Sequence, residues 1–277
     1  NVPTEDWLSF FMFTFFQDRD GKFQLTSLAE SGFDPLSRSC RFMLTEEAHH
    51  MFVGESGVGR VVERSAQLSA ENDTLEIGRH GGIPLAMIQK WINFHFSICL
   101  DLFGQEKSTN AANFYSMGLK GRYNENKIED DHLLNNDGFL VPDLQNGKVI
   151  MSEISALTAI NERLRNDYRD DCQKGVDRWN RIIEKANVDF KLTLPHIAFN
   201  RNIGTFQDND FDLEGNLISA EEFAANKDTW MPNSKDREFV KSLMQRVVEP
   251  GKMAGWIAPP SRGIQGKDIE YEYVILH

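Results

Sequence analysis

The sequence predicts a mainly α protein, a helical bundle followed by a small mixed α/β C-terminal region. Three observations predict it. Long apolar or amphipathic runs at helical spacing occupy residues 7–31, 38–68, 84–104 and 152–187. A short turn rich in Gly, Asp and Pro joins the first two, which makes them antiparallel neighbours. Strand-like patterning appears only from residue 137 onward. The division this implies is a bundle portion over 1–136 and a mixed extension over 137–277, packed on the bundle.

Asp6 is placed to cap the first helix, "WLSFFMFTFFQDRDGKFQLTSLAES", and Gly21 weakens that helix without stopping it. "GFDPLS", residues 32–37, reads as the turn. The second helix runs from about Arg38 to Leu68. It contains "LTEEAHHMF" and then "GESGVGRVV", where Gly54, Gly57 and Gly59 permit a neighbouring helix to come close. "NDTLEIGRHGGIP" is a loop, and "PLAMIQKWINFHFSICLDLFG" is a buried third helix. A polar helix or loop follows to about Asn136. "DGFLVPDLQNGKVIM" reads as a hairpin, residues 152–187 as a long amphipathic helix, and "VDFKLTLPHIAFN" as extended. Short helices are expected near 219–226 and over 234–248. The tail at 250–263 reads as irregular, and "IEYEYVIL" as a strand.

Composition narrows the function classes. The 277 residues are enough to bury a core, and 40% hydrophobic with 26% charged residues is ordinary for a globular protein. A formal charge of −12 argues against nucleic-acid binding and requires a local basic pocket for any anionic substrate. Cys40, Cys99 and Cys172 are odd in number and far apart. Neither a disulfide framework nor a paired-cysteine zinc site is indicated, and a reducing, cytoplasmic setting is the default expectation. No apolar stretch is long enough for a membrane span. "NVPTEDW" does not read as a signal peptide and reads instead as a chain entered mid-sequence.

"LTEEAHHMF" carries the chemistry. Glu47 and His50 stand at i and i+3, so they point the same way from a helix. With Met43, Gly54, Val58 and Val61 they form a core-facing stripe, and Glu46 with His49 lies on the stripe beside it. A buried carboxylate needs a partner or a cation. Helical bundles that hold two irons pair a lone carboxylate on one helix with Glu-x-x-His on another. In an antiparallel pair the lone acid mirrors the motif across the turn. The turn centres near residue 33, Glu47 lies 14 residues beyond it, and acids stand near the mirror position at Asp18 and Asp20. Asp18 shares a face with Phe11, Phe15, Leu25 and Leu28 and is the choice, with Asp20 the alternative. Carboxylate and imidazole suit iron or manganese.

Residues 16–61, "FQDRDGKFQLTSLAESGFDPLSRSCRFMLTEEAHHMFVGESGVGRV", together with "DREFVKSLM" and "PGKMAGWIAPP", resemble the oxygenase components of benzoyl-CoA 2,3-epoxidases. The resemblance spans nearly the whole chain and implies a ferritin-like di-iron bundle. It places the family's second half-site on Asp18, Glu47 and His50, with Glu46 and His49 as supporting neighbours. The other half-site would lie on helices upstream, so the chain would be a C-terminal portion holding half of a two-iron centre. The implied reaction is epoxidation of the ring of benzoyl-CoA or a related aryl-CoA by O2. Electrons would come from a separate NADPH-dependent flavin reductase, and neither nucleic acid nor membrane is involved. The alternatives are another di-iron aryl-CoA oxygenase or hydroxylase subunit, and a non-catalytic ferritin-like protein.

Other motifs compete less well. Glu129 and His132 in "EDDH", with Asp101, form a rival half-site in a polar, turn-rich stretch. "DFDLEGNLISAE" matches a calcium loop at Asp210, Asp212, Glu214, Gly215, Leu217 and Glu221. Ile218 at its ninth position and the lack of an entering helix favour an acidic loop capped by Ser219. His95 reads as a hydrogen-bonded core histidine, and Trp91, Phe94, Phe96 and Phe103 read as packing. Lys120, Arg122 and Arg201 are candidates for CoA phosphates. His196 has no assignable role, and no catalytic side chain beyond the ligands is identified.

Overall fold

The computed structural model describes residues 5–274, apart from 133, 135 and 136. Helix α1 (Trp7–Ala29) starts where the sequence placed it, because the Asp6 carboxylate accepts from Ser9 N at 2.7 Å and Ser9 Oγ at 2.8 Å. Leu8, Met12, Phe15 and Phe16 are fully buried although they point in several directions around the helix. A helix that is apolar all round must be enclosed. Here α2 (Asp34–Asn72), α3 (Leu85–Asp101) and α5 (Ile160–Lys185) enclose it.

Helix α2 begins inside the expected turn. Pro35 in its first turn has a backbone angle suited to a helix start and needs no N–H partner. The helices are antiparallel, as predicted. A Cβ added at Gly57 would lie 2.3 Å from the Phe11 ring, and one at Gly54 would lie 2.4 Å from Phe15 N. Gly59 instead faces Trp179 at an ordinary 3.6 Å. Gly54→Ala therefore forces α1 and α2 apart against backbone and will destabilise the fold by about 1–3 kcal/mol. Gly59→Ala will be neutral or stabilising by up to about 1 kcal/mol. Denaturant titration of the two variants checks this; equal effects would show that Gly54 does not set the helix separation.

The core-facing stripe needs correction. Gly54, Val58 and Val61 are buried, but Met43 is 47% exposed and His50 lies at the surface. Phe42 and Phe52 are also exposed, at 73% and 69%. Among the described residues, hydrogen bonds between α2 and α5 begin at Glu55, whose carbonyl accepts from Trp179 Nε1 at 3.1 Å. The N-terminal half of α2 leans mainly on α1.

Helix α3 is buried as expected, and Trp91 Nε1 in it donates to Ser9 Oγ at 2.9 Å. The polar stretch after it contains α4 (Thr109–Ser116), capped by Ser108. Strands β1 (Gly138–Gln145) and β2 (Lys148–Ser155) form the predicted antiparallel hairpin. Its two-residue turn, Asn146 and Gly147, has φ of 51° and 73°, which suits an Asn-Gly hairpin turn. The hairpin takes residues 152–155, so α5 starts at Ile160 rather than 152. Although α5 lies beyond residue 136, it supplies Leu164, Tyr168 and Trp179 to the main core. The core thus crosses the division drawn at 136/137.

Residues 188–200 form no strand. Side-chain amides hold them instead: Asn180 exchanges two hydrogen bonds with the Leu192 backbone, and Gln89 does the same with Thr193. Strands β3 (Asp210–Phe211) and β4 (Leu217–Ile218) make a minimal antiparallel pair. Helix α6 (Ala220–Trp230) is capped by Ser219, and α7 (Ser234–Leu243) has a capping box from Asn233 and Asp236. Of the C-terminal strand expected at 269–276, residues 275 and 276 lie outside the described residues; within the rest, β6 (Glu272–Tyr273) pairs in parallel with β5 (Lys252–Met253). The fold is therefore mainly α with small mixed elements. Among the described residues no helix is long and apolar enough to cross a membrane.

Candidate metal centre

Asp18 on α1 meets Glu47 and His50 on α2. Each offers one ligand atom, and these atoms lie within 4.8 Å of one another. Asp18 Oδ2 is 3.6 Å from His50 Nδ1. The same antiparallel crossing that pairs Phe11 with Gly57 and Phe15 with Gly54 sets Gly21 against Glu47. A Cβ at Gly21 would stand 3.2 Å from Glu47 Oε1, so the glycine leaves room for that carboxylate.

Among the described residues no lysine or arginine pairs with the Asp18 or Glu47 carboxylate. Glu47 Oε2 is buried without a hydrogen-bond partner. Burial and the Asp18 charge push the Glu47 carboxyl up, with His50 opposing. Burial likewise raises Asp18 against the pull of His50. Asp20 is pushed up to about 7 by burial, opposed by Gln24 and reinforced by Glu47. A divalent cation reverses this logic, since it favours every ionised carboxylate around it. Two carboxylates, an imidazole and an orphaned buried oxygen therefore fit a metal ion.

The trio includes Asp18 rather than Asp20, whose Oδ1 accepts from Gln24 Nε2 at 3.2 Å. Glu46 and His49 are exposed on the neighbouring stripe, with the His49 and His50 rings 6.4 Å apart. Neither hydrogen-bonds to the trio among the described residues. Arg122 and Arg201 are not open to an anion. Arg122 is buried and held by Glu125 and Asp130; Arg201 is buried and held by Asp101 at 2.5 Å and Glu106 at 3.5 Å. Lys120 remains half-buried, 3.3 Å from Asn161 Oδ1.

The rival half-site does not assemble. His132 Nδ1 faces Glu125 at 2.6 Å and Asp130 at 3.5 Å, while Asp101 is taken by Arg201 and Asn202. Glu125, Asp130 and His132 do converge, but Arg122 already supplies their positive charge. Burial would raise Glu125, yet hydrogen bonds from Arg122 and His132 outweigh it and hold the carboxyl at about 2. The calcium-like loop is closed on itself, because the Asp212 carboxylate accepts from Glu214 N, Asn216 N and Asn216 Nδ2. Ser219 is the helix cap expected there. His196 packs its ring against Gly215 and accepts from Ala198 N at 3.2 Å, a local structural role.

Trp91, Phe96 and Phe103 are core packing. His95 is buried as expected, but its Nε2 has no hydrogen-bond partner. Burial and the nearby Arg237 charge push it down to about 3, which keeps it neutral. Further buried ionic clusters lie among the described residues without having been expected. One centres on Arg19 and another on Arg165. The only signal for the second was Glu162 at i, i+3 from Arg165 on the amphipathic helix.

No model of a known protein family matches the chain. It is 53% identical over 277 residues to "Benzoyl-CoA oxygenase component B" of Aromatoleum evansii, an alignment that takes in 99% of this chain. The chain spans 59% of that protein's length. The resemblance read from residues 16–61 is borne out: this chain is a relative of benzoyl-CoA oxygenase component B.

Proposed function

We propose that the chain carries one half of the di-iron centre of a benzoyl-CoA oxygenase component, and that the complete protein epoxidises the aromatic ring of benzoyl-CoA. The observation that supports this most is the meeting of Asp18, Glu47 and His50 around an orphaned buried oxygen. It occurs in a chain half identical to a protein of that name. Iron held there would supply activation of O2 and delivery of one oxygen atom to the ring, with the other leaving as water. Two electrons must then come from outside, and we assign them to a separate NADPH-dependent flavin reductase.

This chain's residues have narrower tasks. Asp18 and Glu47 supply negative charge, and His50 a nitrogen donor. Glu46 and His49 flank the ligands as supports. Lys120 is the remaining candidate for the CoA phosphates. Among the described residues no second carboxylate–histidine group is free of a competing arginine, so we place the remaining ligands outside these 277 residues. His50 is 48% exposed, and the exclusion of water from the reaction falls to the same outside segments. Three buried free thiols fit a reducing, cytoplasmic setting.

The test is turnover of the intact iron-loaded protein with reductase, NADPH and benzoyl-CoA under ¹⁸O₂. One labelled oxygen in a ring epoxide is the expected result. A hydroxylated ring would favour the hydroxylase alternative. Absence of ring oxidation, or a ring oxygen that is unlabelled and so drawn from water, would overturn the reading.

A further inference from the structure

The ligand-bearing half of α2 is held in an unusual way. It leans on α1, and its hydrogen-bonded attachment to α5 begins at Glu55, eight residues beyond Glu47. At that point Arg19, next to Asp18 in the chain, turns away from the ligands into the junction of three helices. Its side chain is 5% exposed. Nη2 donates to Glu55 on α2 at 2.9 Å, Nε to Asp171 on α5 at 3.0 Å, and Nη1 to the Phe15 carbonyl at 3.2 Å. The guanidinium also lies 4.0 Å from the centre of the Phe15 ring. Arg178 on α5 completes the junction with a second ion pair to Glu55.

We propose that the Arg19–Glu55 pair is the fulcrum that positions Glu47 and His50 against Asp18, and so sets the metal affinity of the half-site. This rests on the metal reading above. The lever is short but sufficient. Eight residues of helix are about 12 Å, so a tilt of roughly 5° about Glu55 moves Glu47 by about 1 Å. Metal–ligand distances tolerate only about 0.2 Å. Arg19 and Glu55 are thus positioning residues. They touch no ligand, yet a small change in their geometry reaches the ligands magnified.

Glu55→Gln in the intact protein is the test. The substitution keeps the shape of the side chain. Asp171 remains as counter-charge for Arg19, and the bond from Trp179 to the Glu55 carbonyl is untouched, so the fold is expected to survive. Co(II) is the probe, followed by its visible absorption. Glu55→Gln should weaken Co(II) binding by roughly tenfold, the low end of what loss of a group bonded directly to a ligand costs, and alter the spectrum. Val240→Ala, a core truncation on α7, serves as a control that lowers stability without touching the fulcrum. It should leave affinity and spectrum unchanged. Should Glu55→Gln not fold, Asp171→Asn is read in the same way from the α5 side of the junction. Unchanged affinity and spectrum in the folded variant would overturn the inference. Failure of the parent protein to bind Co(II) would instead overturn the metal reading beneath it.

Discussion

Arg165→Met will destabilise the protein by about 3–5 kcal/mol, a large share of the roughly 5–15 kcal/mol that holds a typical domain together. The Arg165 side chain is 2% exposed. It pairs with Glu106 at 3.1 Å and with Glu162, and it donates to the carbonyls of Leu100 and Gly104. This ties α5 to the end of α3 and the turn that follows. Glu162 is buried with Oε1 unpartnered. Burial raises its carboxyl, Arg165 opposes that, and Glu106 adds to the rise. Without Arg165, two buried carboxylates would face each other with Arg201 as their nearest cation. The loss therefore comes from stranding charge rather than from the worth of the pair, and the double variant Arg165→Met with Glu162→Leu should recover much of it. Denaturant unfolding of the two variants measures this. A loss below about 1 kcal/mol in the single variant would show that the cluster is not dry.

Much of the fold was legible because local signals agreed. The aromatic run after Asp6, the turn before Pro35, and Gly54 with Gly57 all call for two long antiparallel helices in close contact. Asp18 comes opposite Glu47 and His50 because the register is fixed at Phe11–Gly57 and Phe15–Gly54. The rest depended on distant partners. Arg201 finds Asp101 a hundred residues away, and nothing near it in sequence distinguishes an inward arginine from a surface one. The segment at 188–200 has strand-like composition, but amides on α3 and α5 occupy its backbone. The stripe through Met43 has the spacing of a core face, yet spacing does not say whether anything covers it.

The second large effect is on the metal. In the proposed centre Asp18, Glu47 and His50 would be the ligands themselves, so losing one should cost more than the roughly 10–100-fold typical of an outer partner. The fold should tolerate the change. His50 is about half exposed, and replacing Glu47 by Gln removes a half-buried carboxylate already raised by burial and by Asp18. The measurement that tests the account most directly is the iron content of the intact protein after dialysis against iron-free buffer. Wild type is compared with His50→Ala and Glu47→Gln, with circular dichroism as the check on folding. Folded variants that have lost the iron bound by this half-site are the expected result. Folded variants that retain the full wild-type iron content would contradict the metal assignment.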